Sequence, residues 1–221
     1  MDFKRPAPAD YADVRSLNCT FLRVLREREL GAAQRAALPS MIRPQVLGLT
    51  DLRLERLSGC PFLLPSFREH DADYWRLLLA DEPTGDLWAE PSGAALERVI
   101  TAGLAFLWQL ARRNPFAVRL IGGASAAWCE QLADVNLIDL LQSAGRRGDL
   151  LSPRFAGQTE PWSKLLGPGI GSRPAIRTAA HLSVLQSMLT SATTTEPRAL
   201  RAAACRSAVP AFKTADRPDR R

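Results

Sequence analysis

Apolar residues recur at intervals of three and four along most of the chain, the spacing that places them on one face of a helix. This periodicity predicts eleven helices, at residues 11–29, 31–38, 41–47, 50–57, 71–80, 92–113, 115–121, 124–133, 136–144, 160–166 and 173–191. Short extended pieces at 62–64 and 149–151 are the only strand candidates. The expected fold class is therefore all-α with at most short strands. The residues expected to cap these helices are Asp10, Thr50, Ser92, Ser125 and Thr159.

The helical pattern occurs twice in the sequence. The segment Val14–Leu25 matches Val99–Leu110 at an offset of 85 residues. The matching pairs are Val14/Val99, Phe21/Phe106, Leu22/Leu107 and Leu25/Leu110. The repeat determines the predicted fold, because each copy is expected to form the same structural unit.

Further landmarks follow in the same order in both copies. Leu47–Leu52 is matched with Val135–Leu140 at an offset of 88, and the segments ending in Phe67 and Phe155 also correspond. Trp75 and Trp162 are equivalent at an offset of 87. The opening helix occurs a third time, because Ile176–Leu182 is similar to Val99–Ala105.

These matches predict two tandem helical units, at 11–91 and 92–190, and a basic tail at 191–221. The middle helix closes the first unit and opens the second, so the two units share a central helix. Its apolar residues cover more of its surface than those of the first helix, as packing on both sides requires.

Composition fits a globular helical protein, with 46% apolar and 24% charged residues in 221. The net charge is +6, but the tail from Thr193 carries seven basic and three acidic residues, which leaves only +2 on the body. A basic tail can bind phosphates by releasing counterions. A solvated, disordered end, with prolines and many alanines, is the alternative interpretation.

The sequence contains little that supports catalysis or metal binding. The four cysteines form no C-x-x-C pair, and only two histidines, His70 and His181, are present. Neither a phosphate-binding glycine loop nor G-x-S-x-G occurs. We expect no enzyme and no cofactor. The polar first 13 residues lack a secretory signal and the longest apolar stretch is too short to span a membrane, so we expect a cytoplasmic protein.

Two groups of residues are candidates for binding. Four arginines of the first copy could meet DNA phosphates if they share a face: Arg43, Arg53, Arg56 and Arg68. Apolar positions of the first and middle helices are expected to pack against a partner or within a dimer: Leu17, Phe21, Leu22, Phe106 and Leu107.

Three motifs occur in a fixed order. The first helix reads Leu-Asn-x-x-Phe-Leu at Leu17–Leu22. A Leu-Thr pair at Leu49–Thr50 precedes a hydrophobic segment ending in Phe67, and the last helix carries Ile176, Thr178, Leu182 and Ser183. Over residues 14 to 190 this order resembles the FlhD family of flagellar transcriptional regulators. That family has one unit per chain and assembles through dimers, so the fusion of two units is a departure. The second copy also has Gly103 where the first has Asn18.

The resemblance implies a transcriptional activator subunit that binds promoters of flagellar genes together with a zinc-binding FlhC-like partner, which supplies much of the DNA contact. The fused pair could replace the dimer, as an intramolecular pseudo-dimer, or a homo-oligomer could form. The alternative hypothesis is a helical adaptor that binds proteins without DNA contact. The weakly charged body favours the adaptor, whereas the arginines and the basic tail favour the regulator.

Overall fold

Helices make up nearly all of the regular structure. The computed structural model describes residues 4–27, 31–80, 94–145 and 147–204. Their helices are α1 (Pro8–Arg26), α2 (Ala32–Ala36), α3 (Arg43–Leu47), α4 (Asp51–Ser58), α5 (Ala72–Ala80), α6 (Ala94–Arg113), α7 (Pro115–Gly122), α8 (Ala126–Asp134), α9 (Leu137–Ala144), α10 (Thr159–Leu166) and α11 (Pro174–Ala204). Two short strands, β1 (Pro65–Ser66) and β2 (Ser152–Pro153), and 3₁₀ turns at Gly148–Leu150 and Pro168–Ile170 complete the set. The all-α fold class is confirmed.

Each predicted helix has a counterpart, and the differences lie at the ends. Thr50 and Ser125 cap α4 and α8 as predicted, because their side-chain oxygens accept a backbone N–H of the first turn. Asp10 does not cap α1, which begins at Pro8, and its carboxylate instead accepts the N–H of Ala7.

Three other differences are simple. Thr159 is the first residue of α10, which follows Gln158, and Ser92 lies outside the described residues. The last helix continues past its predicted end at 191 to Ala204, into the segment predicted as a tail. The strands lie three residues later than predicted, because Leu63 and Leu64 are core residues whose backbone groups bond to Ile121 and Asn18.

The two strands pair with each other in a symmetric register. They run antiparallel, with Pro65 opposite Pro153 and Ser66 opposite Ser152. At an offset of 87, Pro65 is equivalent to Ser152 and Ser66 to Pro153, so each pair maps onto the other. An antiparallel pairing of this kind is compatible with a two-fold relation between the two strands.

Other features repeat at the same offset. Arg68 and Phe155 both have a positive φ, 53° and 57° respectively, so Phe155 corresponds to Arg68 and not to Phe67, with which the sequence had matched it. The indole N–H of Trp75 donates to the carbonyl of Phe67, and that of Trp162 donates to the carbonyl of Arg154, in each case eight residues earlier. These are the relations expected of two equivalent units. The boundary predicted at 91 lies outside the described residues.

The match between α4 and α9 is closer to 86 residues than the 88 that the sequence suggested. Thr50 and Asn136 are the N-caps, and each caps a helix of eight residues. The pairing of Leu52 with Leu140 was wrong, because Leu52 is 57% exposed whereas Leu140 is fully buried. Leu54 is the buried equivalent of Leu140.

Four helices lie side by side in the order α4, α1, α6 and α9. Helix α1 packs between α4 and α6, and α6 packs against α9. The order is symmetric about the α1 and α6 contact if the helices are paired as the sequence matches them, α4 with α9 and α1 with α6. None of the described helices is long and apolar enough to cross a membrane.

A buried ion pair joins the two strand regions. The guanidinium of Arg154 lies 2.6 Å from the carboxylate of Glu69, with side chains 6% and 3% exposed. It also donates to the carbonyls of Leu63, Pro65 and Gly122. The other oxygen of Glu69 accepts the hydroxyl of Ser66 and the N–H of Phe67, each at 2.8 Å.

The protonation of Glu69 reflects these contacts. Burial by itself raises its pKa, but Arg154 and the hydrogen bonds from backbone and Ser66 outweigh burial and hold the pKa below its ordinary value. The carboxylate is therefore charged in the folded protein. Its contribution to stability is present above the ordinary pKa of a glutamate and is lost as the pH falls through the lowered one.

Gly103 explains why the second copy departs from Asn18. A Cβ at Gly103 would lie 2.2 Å from Cζ of Phe67, whose ring is 1% exposed. In the first copy, Asn18 is buried, donates to the carbonyls of Ser58 and Phe62, and accepts the N–H of Leu64. The glycine therefore makes room for a ring.

We predict that breaking the buried ion pair from one side is costly. Arg154→Met or Glu69→Gln should each lower the free energy of unfolding by about 3–5 kcal/mol, because the remaining polar group stays buried without its partner. Urea unfolding measures this. Arg15→Ala, which breaks the exposed pair with Glu55, is the control and should cost less than about 1 kcal/mol. Equal effects from buried and exposed pairs would contradict the assignment.

We also predict that Gly103→Ala destabilises the protein, against helix propensity. Alanine would ordinarily gain about 1 kcal/mol within a helix. Here the overpacking against Phe67 should cost about 1–3 kcal/mol. Thermal unfolding of Gly103→Ala, Phe67→Leu and the double variant checks this, and the double variant should be less destabilised than the sum of the single ones. A more stable Gly103→Ala protein would show the contact to be wrong.

Candidate protein-binding groove

Three of the four predicted phosphate-binding arginines use their guanidinium groups inside the chain. Arg43 donates to the carbonyl of Leu38 at 3.3 Å. Arg56, on α4, donates to the carbonyl of Ile170 at 3.2 Å. Both side chains are half-buried, and these bonds hold neighbouring loops to their helices.

Arg68 is held by acidic and aromatic neighbours. Its guanidinium lies 2.9 Å from the carboxylate of Asp71, 3.7 Å from that of Asp149 and 4.2 Å above the ring of Tyr74. Burial and the nearby Asp149 raise the pKa of Tyr74 to about 12. The positive charge of Arg68 is already compensated by the carboxylates of Asp71 and Asp149.

Arg53 differs from the other three because its side chain is exposed. It lies in the first turn of α4, where its backbone N–H bonds to Thr50. Because the other three guanidinium groups are bonded within the chain, the structure does not present the four arginines as one open phosphate-binding cluster.

The five predicted packing residues divide into two groups. Phe21, Leu22 and Leu107 are buried in the core of the chain. Leu17 is also a core residue, 8% exposed, and Phe106 is half-buried, but both line a groove on the surface between α1 and α6. The structure therefore brings these two together at a site that another molecule can reach.

This groove, called the α1/α6 groove below, has a volume of about 570 Å³. Seven of its twelve lining residues are apolar, including Val99, Ala102 and Ala105 on α6 and Leu137 at the start of α9. Asp13, Ser16 and Thr20 line it from α1. Open apolar surface of this kind, with polar residues beside it, marks sites of protein interaction.

Trp108 is the largest side chain in the groove and is fixed on two sides. Its indole N–H donates to the carbonyl of Val135 at 2.8 Å. The guanidinium of Arg112 lies 4.8 Å from the ring centre. A tryptophan that is already oriented loses little freedom on binding, which suits an anchor at an interface.

A neighbouring groove between α1 and α4, of about 670 Å³, is polar and bridged by ion pairs. Arg15 lies 2.7 Å from Glu55, and Arg26 lies 2.5 Å from Asp51. The hydrogen bond and charge of Arg26 lower the pKa of Asp51. Because these charged side chains are already paired, this groove is a weaker candidate for binding a partner than the α1/α6 groove.

Trp108, Leu137 and the buried pair of Arg154 with Glu69 were not predicted from the sequence. Trp108 and Leu137 could have been found from the sequence, because the equivalent residues of the first copy, Arg23 and Asp51, are polar. Arg154 stands where the first copy has Phe67, and Glu69 is 85 residues away, so no local pattern marks the pair.

Comparison of the chain with protein-family models, with curated proteins and with solved structures found no match. The resemblance to the FlhD family therefore remains a prediction from the sequence.

We predict that three of these arginines, Arg53, Arg56 and Arg68, differ in what they contribute to the stability of the fold. Arg56→Ala and Arg68→Ala should each lower the free energy of unfolding by about 1 kcal/mol, because each removes hydrogen bonds to partly buried groups. Arg53→Ala should change it by less than about 0.5 kcal/mol. Chemical unfolding of the three variants tests this. A destabilised Arg53→Ala protein, beside unaffected Arg56→Ala and Arg68→Ala, would reverse the assignment.

Proposed function

We propose that this chain is a regulatory subunit that acts by binding a protein partner through the α1/α6 groove, and that the partner makes most of the contact with DNA. The observation that carries the proposal is the contrast between two surfaces. The apolar groove is open, whereas three of the four arginines expected at phosphates are occupied by carbonyls, carboxylates and a ring.

The shape of the groove favours a helical partner. Two helices side by side form an elongated depression, in which a third helix can place apolar residues spaced three and four apart. Phe106, Trp108 and Leu137 supply the apolar contacts, and Asp13 and Gln109 are available to polar groups along the edge. We expect the partner to present an amphipathic helix.

The transcriptional part of the proposal comes from the FlhD resemblance. In that reading the partner is an FlhC-like protein that brings the complex to promoters, and the fused units take the place of a dimer. The alternative, an adaptor that never meets DNA, uses the same groove. The two readings differ only in what the complex, once formed, binds.

The test begins by locating the contact. A photo-crosslinking amino acid placed at Ala102 in the groove should capture the partner in the native host, whereas the same residue at the exposed Ala127 of α8 should not. The captured protein is then purified and its affinity measured. Ala102→Glu should weaken binding at least about tenfold, because a carboxylate is placed against apolar contacts, and Ala127→Glu should not.

Binding to promoter DNA is measured next, at low and moderate salt, for the chain, the partner and the complex. The regulator reading predicts strong, salt-dependent binding by the complex and little by the chain alone. A complex without DNA binding leaves the adaptor. Affinity for the partner that is unchanged by Ala102→Glu, or DNA binding by the chain alone that Arg53→Ala abolishes, would overturn the proposal.

A further inference from the structure

Helix α11 exposes an apolar seam beside its buried face. Ala180, His181, Val184 and Met188 face the core, and the ring of His181 bonds to the carbonyl of Gly169. Leu182, in contrast, is 51% exposed. Leu182, Leu185 and Leu189 follow one another at intervals of three and four and line a shallow groove along the helix. This is the spacing of a seam between two paired helices.

Two of the three seam leucines, Leu182 and Leu185, correspond to residues on a face that α6 uses, Ala105 and Trp108. The match of Ile176–Leu182 with Val99–Ala105 sets an offset of 77. The α6 residues that line the α1/α6 groove are 98, 99, 102, 105, 106, 108 and 109, and their equivalents in α11 are 175, 176, 179, 182, 183, 185 and 186. All of these α11 residues are exposed except Leu185, which is half-buried. The open face of α11 is therefore equivalent to the face that α6 turns toward α1.

We infer that this face of α11 binds α11 of a second copy of the chain, so that the two α11 helices pair as α1 and α6 pair within one chain. Helices α1 and α6 are themselves equivalent, at an offset of 85, so the fold already pairs like with like. Among the described residues, α11 has no such mate. The same helix from both copies gives a two-fold symmetric contact.

Charge favours a second copy over an unrelated partner. Within the chain, the equivalent positions of α1 and α6 carry opposite charges, at Asp13 and Arg98. The equivalent residue of α11 is Ala175. In a pair of identical helices a charge at this position would be present twice with the same sign, which disfavours pairing. The alanine removes that repulsion.

The rest of the seam is neutral as well. From Thr178 to Thr195 the sequence contains no Asp, Glu, Lys or Arg. Such a face offers nothing to attract a partner of either charge, while its leucines and its Ser, Thr and Gln side chains suit a copy of itself. This pairing is independent of the α1/α6 groove, which lies on other helices.

The oligomeric state of the purified full chain tests the inference. Sedimentation equilibrium over a range of concentrations should show a dimer. Leu182→Glu should raise its dissociation constant at least about tenfold, because each copy then places a carboxylate in the seam. Leu77→Glu, on α5, is the matched control, since Leu77 is 64% exposed, and it should leave the dimer unchanged.

Three further results decide the case. Circular dichroism melting should be alike for the two variants, which shows that Leu182→Glu folds. Ala102→Glu should leave the dimer intact and Leu182→Glu should still bind the partner, so the two proposals fail separately. A chain that stays monomeric up to about 100 μM, or a dimer that Leu182→Glu does not weaken, overturns the inference.

Discussion

The buried contact between Arg154 and Glu69 is the interaction on which the rest of the fold depends. A charge of either sign is expensive to bury, and the cost is met only where its partner and all its hydrogen bonds are in place. Here the partners come from the two strand regions and the carbonyls from Leu63, Pro65 and Gly122. The site is complete only when both halves of the chain have come together, so neither half is expected to form this part of its core alone.

The same contact shows where the two halves differ. Arg154 occupies the position of Phe67, and Gly103 occupies that of Asn18. The ring of Phe67 in the first half lies against α6 of the second half, which needs Gly103 at that point. In the other direction, Arg154 of the second half donates to carbonyls of the first half. In a pair of identical chains, the same two residues would have to occupy both of these equivalent positions.

The sequence predicted the helices well because their evidence is local. Periodic apolar residues, Thr50 and Ser125 as caps and prolines between segments each act within a few residues. The register of α4 and α9 was wrong because both contain several leucines, and only burial distinguishes Leu52 from Leu54. The predicted cluster of free arginines is not present in the described structure. Whether a guanidinium is free depends on carbonyls and carboxylates that are distant in sequence, such as those of Ile170 and Asp149.

The two halves of the chain differ at surface positions that the sequence matches with each other. The exposed pair of Arg15 with Glu55 in the first half corresponds to Ile100 and Leu141 in the second, at offsets of 85 and 86. Ile100 is fully buried and Leu141 packs against the core. The polar pair remains on the surface, whereas its apolar counterparts belong to or pack against the core. A single chain can therefore carry polar residues at the surface between α1 and α4 and apolar residues at the matched positions of α6 and α9. Two identical chains would carry the same residues at both places, so this difference requires two halves with different sequences.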